Sequence, residues 1–300
     1  MGDVIKPMEP MEYVEHPNEL IRLLRYFVRP QMDPAIRLTP DYPAEPSLGV
    51  VISTFGSIPY LDLNLHYLVN VNHLRVLIHD DSSPQREELI ALCRRYAPHV
   101  DLYITPERLW HKAKVGTLGD TSAFFIGLQW ARQNKFDLLL KLSRRLVAVS
   151  EFATGLKQLA VESDGFTFGN YCDRDDFPLR TECMAMCVKA WTHGFPLNQL
   201  NSMLHYKLPV FAEYWFNDLA RMLAYANASE KYRSYADAHR IGAAHEGFVK
   251  WDGLLGDSRY AANPGALWHN SNPVEEYYNA ARQVFGDRYT LEDFKQVELF

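Results

Sequence analysis

The apolar and polar positions along this chain alternate between short, continuous apolar runs and longer segments with helical spacing. Leu48 to Thr54 (LGVVIST) is a short run of the buried-strand type, Phe55-Gly-Ser-Ile-Pro59 is a turn, and Tyr60 to Val69 carries Leu61, Leu65 and Leu68 at helical intervals. The pattern then repeats. Leu74 to Ile78 predicts a second strand, closed by His79-Asp80-Asp81-Ser82-Ser83-Pro84, and Gln85 to Tyr96 predicts a helix with Leu89, Ile90 and Leu92 on its apolar side. Val100 to Thr105 is a third strand, Thr121 to Asn134 a third helix, and four apolar residues out of five from Leu138 to Leu142 form a strand buried on both faces. Strands alternating with helices predict an α/β fold with a mostly parallel, doubly wound central sheet of the Rossmann type.

Beyond Arg145 the pattern is less regular. Glu151 to Val161 predicts a helix and Gly165 to Tyr171 a strand, while Glu182 to Trp191 is apolar in a way that suits either a strand or a helix. Val210 to Asn227 has helical spacing, Val274 to Val284 is amphipathic, and Gly286-Asp-Arg starts a last turn before a short helix. Eight of the 17 prolines precede Ser47, around one amphipathic stretch from Asn18 to Val28 that Pro30 stops. The expected organisation is a Pro-rich N-terminal arm over 1–46, a catalytic-type domain over 47–250 and a helical C-terminal extension over 251–300 packed on it.

Composition narrows the classes. At 47% hydrophobic and 23% charged, the 300 residues suit a large globular core. A formal charge of -6 gives no general attraction to nucleic acid or anionic lipid. No apolar run approaches the roughly 18 residues of a membrane span and no leader pattern opens the chain, so a non-exported protein is expected, with peripheral membrane contact through the arm left open. Lys6 stands where myristoylation would want Ser or Thr. Cys93, Cys172, Cys183 and Cys187 have no zinc-type CxxC spacing. They read as buried free thiols in a reducing, cytoplasmic setting, with Cys183 and Cys187 able to share a helix face.

Chemistry concentrates at the strand ends. Ser53-Thr54-Phe55 and Asp80-Asp81-Ser82-Ser83 offer a hydroxyl for a ribose, an aromatic face for a base and carboxylates for a uracil or guanine N–H. The same Asp-Asp-Ser-Ser also serves as turn and helix-cap chemistry. The fourth strand ends in Ser143-Arg144-Arg145, and two guanidinium forks suit phosphate oxygens but cannot hold a divalent cation. Lys141 on that strand and Lys114, in the loop Trp110 to Gly116, are further candidates for a phosphate. Glu182, in Leu179-Arg-Thr-Glu-Cys, is a candidate base. Asp173-Arg-Asp175-Asp176 reads as a surface, acceptor-recognition or displaced metal loop. His245 and His269 read as packed histidines or as ligands of a metal.

Val50-Val51-Ile52-Ser53-Thr54-Phe55 followed by Val76-Leu77-Ile78-His79-Asp80-Asp81-Ser82-Ser83 resembles the opening of GT-A-fold glycosyltransferases of the family 2 type. Phe136-Asp-Leu-Leu-Leu-Lys-Leu142 is similar to the segment leading into that family's Asp-X-Asp motif, and Ala244-His245-Glu-Gly247 to its late His-containing strand end. Phe211 to Arg221 is similar to its acidic helix start, which implies Asp218 or Glu213 as the catalytic base. The likeness covers about residues 48 to 250 and implies Ser53, Thr54, Phe55, Asp80 and Asp81 around a nucleotide, with Lys114 beside that pocket by its own loop's composition. The departure lies at the metal motif, replaced here by Ser143-Arg144-Arg145. The resemblance therefore implies a metal-independent, inverting transferase without cofactor. It would move a sugar from a nucleoside diphosphate donor to a hydroxyl on a glycan, lipid-linked sugar or small molecule, with Lys141, Arg144 and Arg145 neutralising the leaving diphosphate. A non-catalytic GT-A-like binding module is the alternative. A nucleotidyltransferase is a third reading, set against the lack of a Gly-rich, basic loop after the first strand.

Overall fold

Seven strands form one sheet in the order β3-β2-β1-β4-β7-β6-β8 in the computed structural model. The strands are β1 (Leu48–Thr54), β2 (Arg75–Asp80), β3 (Val100–Ile104), β4 (Leu138–Ser143), β6 (Thr167–Tyr171), β7 (Leu179–Cys187) and β8 (Phe248–Lys250), while β5 (Leu146–Ala148) pairs separately with β9 (Ala266–Trp268). β7 alone runs against its neighbours. The structure describes residues 38–106, 108, 117–144, 146–171, 179–194, 216–217, 220–221, 223–224, 227–242, 245–251, 254–255, 265–268 and 271–296. The stretch expected as a helix from Asn18 to Val28 lies outside them.

The central strands are apolar on both sides because helices cover both faces. On one face Val50, Ile52, Ile78 and Leu140 pack with Leu61 and Leu65 of α1 (Ile58–Leu65), Leu92 of α2 (Arg86–Arg95) and Leu156 of α4 (Ala153–Ser163). On the other, Val51, Leu139 and Met186 pack with Phe124 and Leu128 of α3 (Thr117–Gln133), Trp191 of α5 (Val188–Gly194), and the helical residues Phe216 and Leu223. Burying one such side chain contributes about 1.5–3 kcal/mol. The doubly wound, mostly parallel arrangement expected from the apolar runs is the one present. Among the described residues no helix is long and apolar enough to cross a membrane.

Glu182 to Trp191, which suits either element by pattern, is both. β7 continues to Cys187 and α5 starts at Val188, so Cys183 and Cys187 lie on a strand and not on one helix face. With Cys93 they are buried free thiols, and burial pushes Cys93 up to about 12 and Cys187 to about 11. α3 begins at Thr117, four residues before the expected Thr121.

α6 (Glu230–Ala238) packs near α4, and two C-terminal helices, α7 (Val274–Phe285) and α8 (Leu291–Lys295), close the chain. Tyr277, Ala281 and Phe294 of this last pair form a small core with Tyr60, Leu63 and Val147. A fully buried carboxylate reinforces it. Asp62 accepts from Arg95 at 3.0 Å, Arg288 at 3.1 Å, and the hydroxyls of Tyr96 and Tyr289 at 2.6 Å each. That network joins α1, α2 and the turn before α8 through one charge, with its acceptor oxygens supplied with donors.

Candidate functional site

β2 and β3 extend the sheet on one side of β1, and the chain then crosses back to lay β4 on the other side. The reversal opens a crevice beyond the carboxyl ends of β1 and β4, the place where open α/β sheets take ligands. Register brings the sequence candidates to it. Ser53 lies beside both His79 and Ser143, and Thr54 beside Asp80. β7 runs antiparallel to β4 with Cys183 opposite Leu142, so Glu182 follows opposite Ser143. Ser53, Thr54, Phe55, Asp80, Asp81, Arg144 and Glu182 thus share one edge.

They differ in what their side chains already do. Gly56, with φ +64°, turns the chain so that its N–H approaches Asp80 Oδ1 at 3.4 Å, while the Ser83 N–H donates to Asp80 Oδ2 at 2.8 Å. Burial raises the Asp80 pKa against the lowering effect of these bonds. Thr54 Oγ1 donates to the Gly56 carbonyl at 2.7 Å. Asp80 and Thr54, expected at a base and a ribose, are buried and committed to the turns after β1 and β2. A carboxylate at a strand end satisfies turn N–H groups as well as it would a ligand. Asp81 is buried too, accepts from Thr105 Oγ1 at 3.3 Å, and has Gly119 of α3 so near that a Cβ there would sit 3.2 Å from its Oδ2.

Phe55 and Ser53 are half-buried, and the Arg108 guanidinium lies 3.6 Å above the Phe55 ring. A cleft of about 700 Å³ opens here, with Phe55, Gly56, Gln85 and Arg108 on the sheet side and Arg288 and Tyr289 of the C-terminal segment opposite. Its volume suits a small-molecule ligand.

Arg144 is 9% exposed and binds the two strand ends together. Its backbone N–H donates to the Ser53 carbonyl at 3.1 Å, its Nη1 to the Phe55 carbonyl, and its own carbonyl accepts from Asn64 Nδ2 at 3.1 Å. The guanidinium charge is therefore fixed at the β1/β4 crevice. Lys141 is not at the crevice. Its ammonium is fully buried beneath α3, 2.7 Å from Asp120 Oδ2 and 2.7 Å from the Thr181 carbonyl. Lys141, expected at a diphosphate, is turned inward with Leu139 by the alternation along β4, and only its contacts with the partly exposed Asp120 carboxylate and the Thr181 carbonyl make that burial tolerable.

Asp120 and two neighbours were not singled out from sequence. His79 Nε2 lies 2.9 Å from Ser122 Oγ, and the ring stacks on Tyr103 with centroids 5.4 Å apart. Burial, helped by the Lys141 charge, pushes the His79 pKa down to about 4. The signal in the sequence was the polar start of α3, Asp120-Thr121-Ser122, ahead of an apolar helix.

Glu182 has the spare capacity. Arg180 Nη1 stands 3.7 Å from its Oε1, while Oε2 is buried and accepts no hydrogen bond. Ser143 Oγ, its cross-strand neighbour in register, is likewise buried without a partner. A buried acceptor left unmade costs about 1–3 kcal/mol. Asp218, Glu213, Lys114, Arg145, Asp173, Asp175, Asp176 and His269 lie outside the described residues. His245 stacks on Tyr171, centroids 4.1 Å apart, at the far side of the sheet.

The end of β4 offers a neutral hydroxyl and a guanidinium where a divalent cation would need paired carboxylates, so this donor set does not fit one. Among the described residues no group of three or more His, Cys, Asp or Glu converges as a metal site.

No protein-family model and no curated protein matches this chain. Among solved structures it is similar to GalNAc-T7 with UDP, GalNAc and Mn2+, at 16% identity and TM-score 0.33, over 43% of this chain and 23% of that one. It is also similar to S. aureus TarS 1-349 in complex with UDP, at 12% identity and TM-score 0.40, over 67% of this chain and 70% of that one. The third is the galactosyltransferase LgtC with donor and acceptor sugar analogues, at 10% identity and TM-score 0.45, over 79% and 95%. Each likeness is distant, below 25% identity and below a TM-score of 0.5; the seven-stranded, mostly parallel mixed sheet flanked by helices is this chain's own.

Proposed function

We propose that this protein is a glycosyltransferase that moves a sugar from a nucleoside diphosphate donor to a hydroxyl acceptor at the carboxyl ends of β1, β4 and β7. One observation carries the reading: a fixed guanidinium, Arg144, and a carboxylate with an unused oxygen, Glu182, both stand at the sheet edge where the strand order reverses. In the proposed step the acceptor oxygen attacks the anomeric carbon as Glu182 takes its proton. The bond from that carbon to the diphosphate oxygen breaks, and its electron pair leaves with the diphosphate. Attack opposite the leaving group inverts the centre. The Arg144 charge, with the basic residue Arg145 next to it in sequence, favours the added negative charge on the departing diphosphate, which is electrostatic stabilisation of developing charge. Phe55 beneath Arg108, beside the 700 Å³ cleft, supplies a flat aromatic wall for the base. Asp218 and Glu213 are the competing candidates for the base.

The non-catalytic reading draws on a specific observation as well, since Asp80, Thr54 and Lys141 serve the scaffold. Incubation with a panel of nucleotide sugars and chromatography of the products separates the two. Release of nucleoside diphosphate, stimulated by a hydroxyl acceptor, is expected. Tight nucleotide binding with no release over hours would make the protein a binding module.

A further inference from the structure

A second cleft, of about 460 Å³, lies between α4, α6 and the ends of β6 and β8. β6 and β8 run parallel to each other, and both oppose or flank β7 so that their carboxyl ends point the same way as that of β4. The cleft therefore opens on the same edge of the sheet as the β1/β4 crevice. Three strand spacings separate β4 from β8, about 14 Å at ~4.8 Å each. A short oligosaccharide can bridge that span.

Its lining has the chemistry of a sugar site. Tyr171 stacks on His245 with centroids 4.1 Å apart and planes 19° apart, and Tyr235 stacks on His239 at 3.9 Å and 20°. Both pairs line the cleft and present flat walls for the C–H face of a pyranose. Trp251 lines the cleft as well; it is only 1% exposed, and its indole Nε1–H is buried with no acceptor among the described residues. An indole can only donate, so this position calls for a ligand oxygen. Gln158, Glu162 and Arg240 stand on the rim, the first two able to accept and the last to donate. Lys250 lines the cleft too, so two cations face one carboxylate; the mix of donors and acceptors around aromatic walls suits hydroxyls.

We propose that the cleft between α4 and α6 binds a saccharide unit of the acceptor, held by a hydrogen bond from Trp251 Nε1 and by contact with the two Tyr–His pairs. The acceptor would then be a glycan of two or more units whose terminal hydroxyl reaches Glu182. The acceptor role rests on the transferase reading; saccharide binding at this cleft does not.

The full chain, probed on a glycan array and then by calorimetry with the saccharides retained, tests the assignment. Uridine and guanosine diphosphates are titrated in parallel. Retained oligosaccharides are expected, with affinity unchanged by saturating nucleoside diphosphate. Trp251→Phe, which keeps an aromatic ring and removes the N–H, is expected to weaken binding about fivefold, the loss of one hydrogen bond. Glu162→Gln and Arg240→Ala change exposed rim residues, so they retain the fold even if Trp251→Phe does not, and each is expected to weaken binding. No saccharide retained by a chain that binds nucleoside diphosphate would overturn the cleft assignment and leave the transferase reading standing. Affinities unmoved by all three variants, or competition by nucleoside diphosphate, would overturn it too. Saccharide binding that the variants weaken, in a chain blind to nucleotides, would keep the cleft and remove the transferase.

Discussion

The β1/β2 end of the sheet and the β4/β7 end carry similar polar residues and use them differently. At β1/β2, Asp80 and Thr54 complete the backbone, Asp80 serving the N–H groups of Gly56 and Ser83 and Thr54 the Gly56 carbonyl, while the Ser57 and Ser83 hydroxyls are buried without a partner. At β4/β7, Ser143 Oγ and Glu182 Oε2 are buried with no hydrogen bond made. The first arrangement shapes a crevice, and the second leaves an acceptor able to receive a proton. A carboxylate's residue type does not reveal which of these it does; its remaining hydrogen-bond capacity does.

The contrast can be broken at several points. Glu182→Gln keeps size and removes the base, so sugar transfer is expected to fall by roughly 10²- to 10⁴-fold. Nucleotide affinity should hold, and the urea midpoint should shift by no more than about 0.5 kcal/mol equivalent. A large stability loss instead would mean that Glu182 is scaffold, as Asp80 is. Lys141→Met should do the reverse. It leaves the one-quarter-exposed Asp120 carboxylate without its cation, which costs about 2 kcal/mol in urea unfolding, below the range for a fully buried pair. A nucleotide affinity that fell while stability held would return Lys141 to the binding site.

Acid tests the layer beneath α3. The folded His79 value, about 4, lies below the ordinary 6.5, so the unfolded chain takes up this proton first. The stabilising effect of keeping the ring neutral is fully present above pH 6.5 and is lost as pH falls toward 4. It amounts to about 3 kcal/mol. His79→Gln should flatten that part of the stability profile; an unchanged profile would show that the ring charges readily in the fold. The smallest expected effect is from chelation. EDTA should leave nucleoside diphosphate affinity unchanged in calorimetry, since the donor set at the end of β4 does not fit a divalent cation, and a marked loss would point to carboxylates elsewhere.

The β-strand and helix sequence of the first half was legible because continuous apolar runs ending in turn residues have few other solutions. The Glu182 to Trp191 stretch was not, because a strand passing directly into a helix keeps an apolar texture throughout. The crevice was legible as a place, from the strand ends. Its working parts were less so. Lys141 reads as an available cation until Asp120, 21 residues earlier, is found against it. Asp80 reads equally as turn or ligand. Trp251 carried no signal at all, since its consequence comes from lying in a cleft with α4 and α6 while its buried N–H has no acceptor among the described residues.

A structure of the protein with a bound nucleoside diphosphate sugar tests the central claim most directly. The diphosphate is expected beside Arg144 at the ends of β1 and β4, the base against Phe55, and the anomeric carbon on the Glu182 side of the crevice. A donor seated away from that edge, or one whose sugar faces away from Glu182, would contradict it.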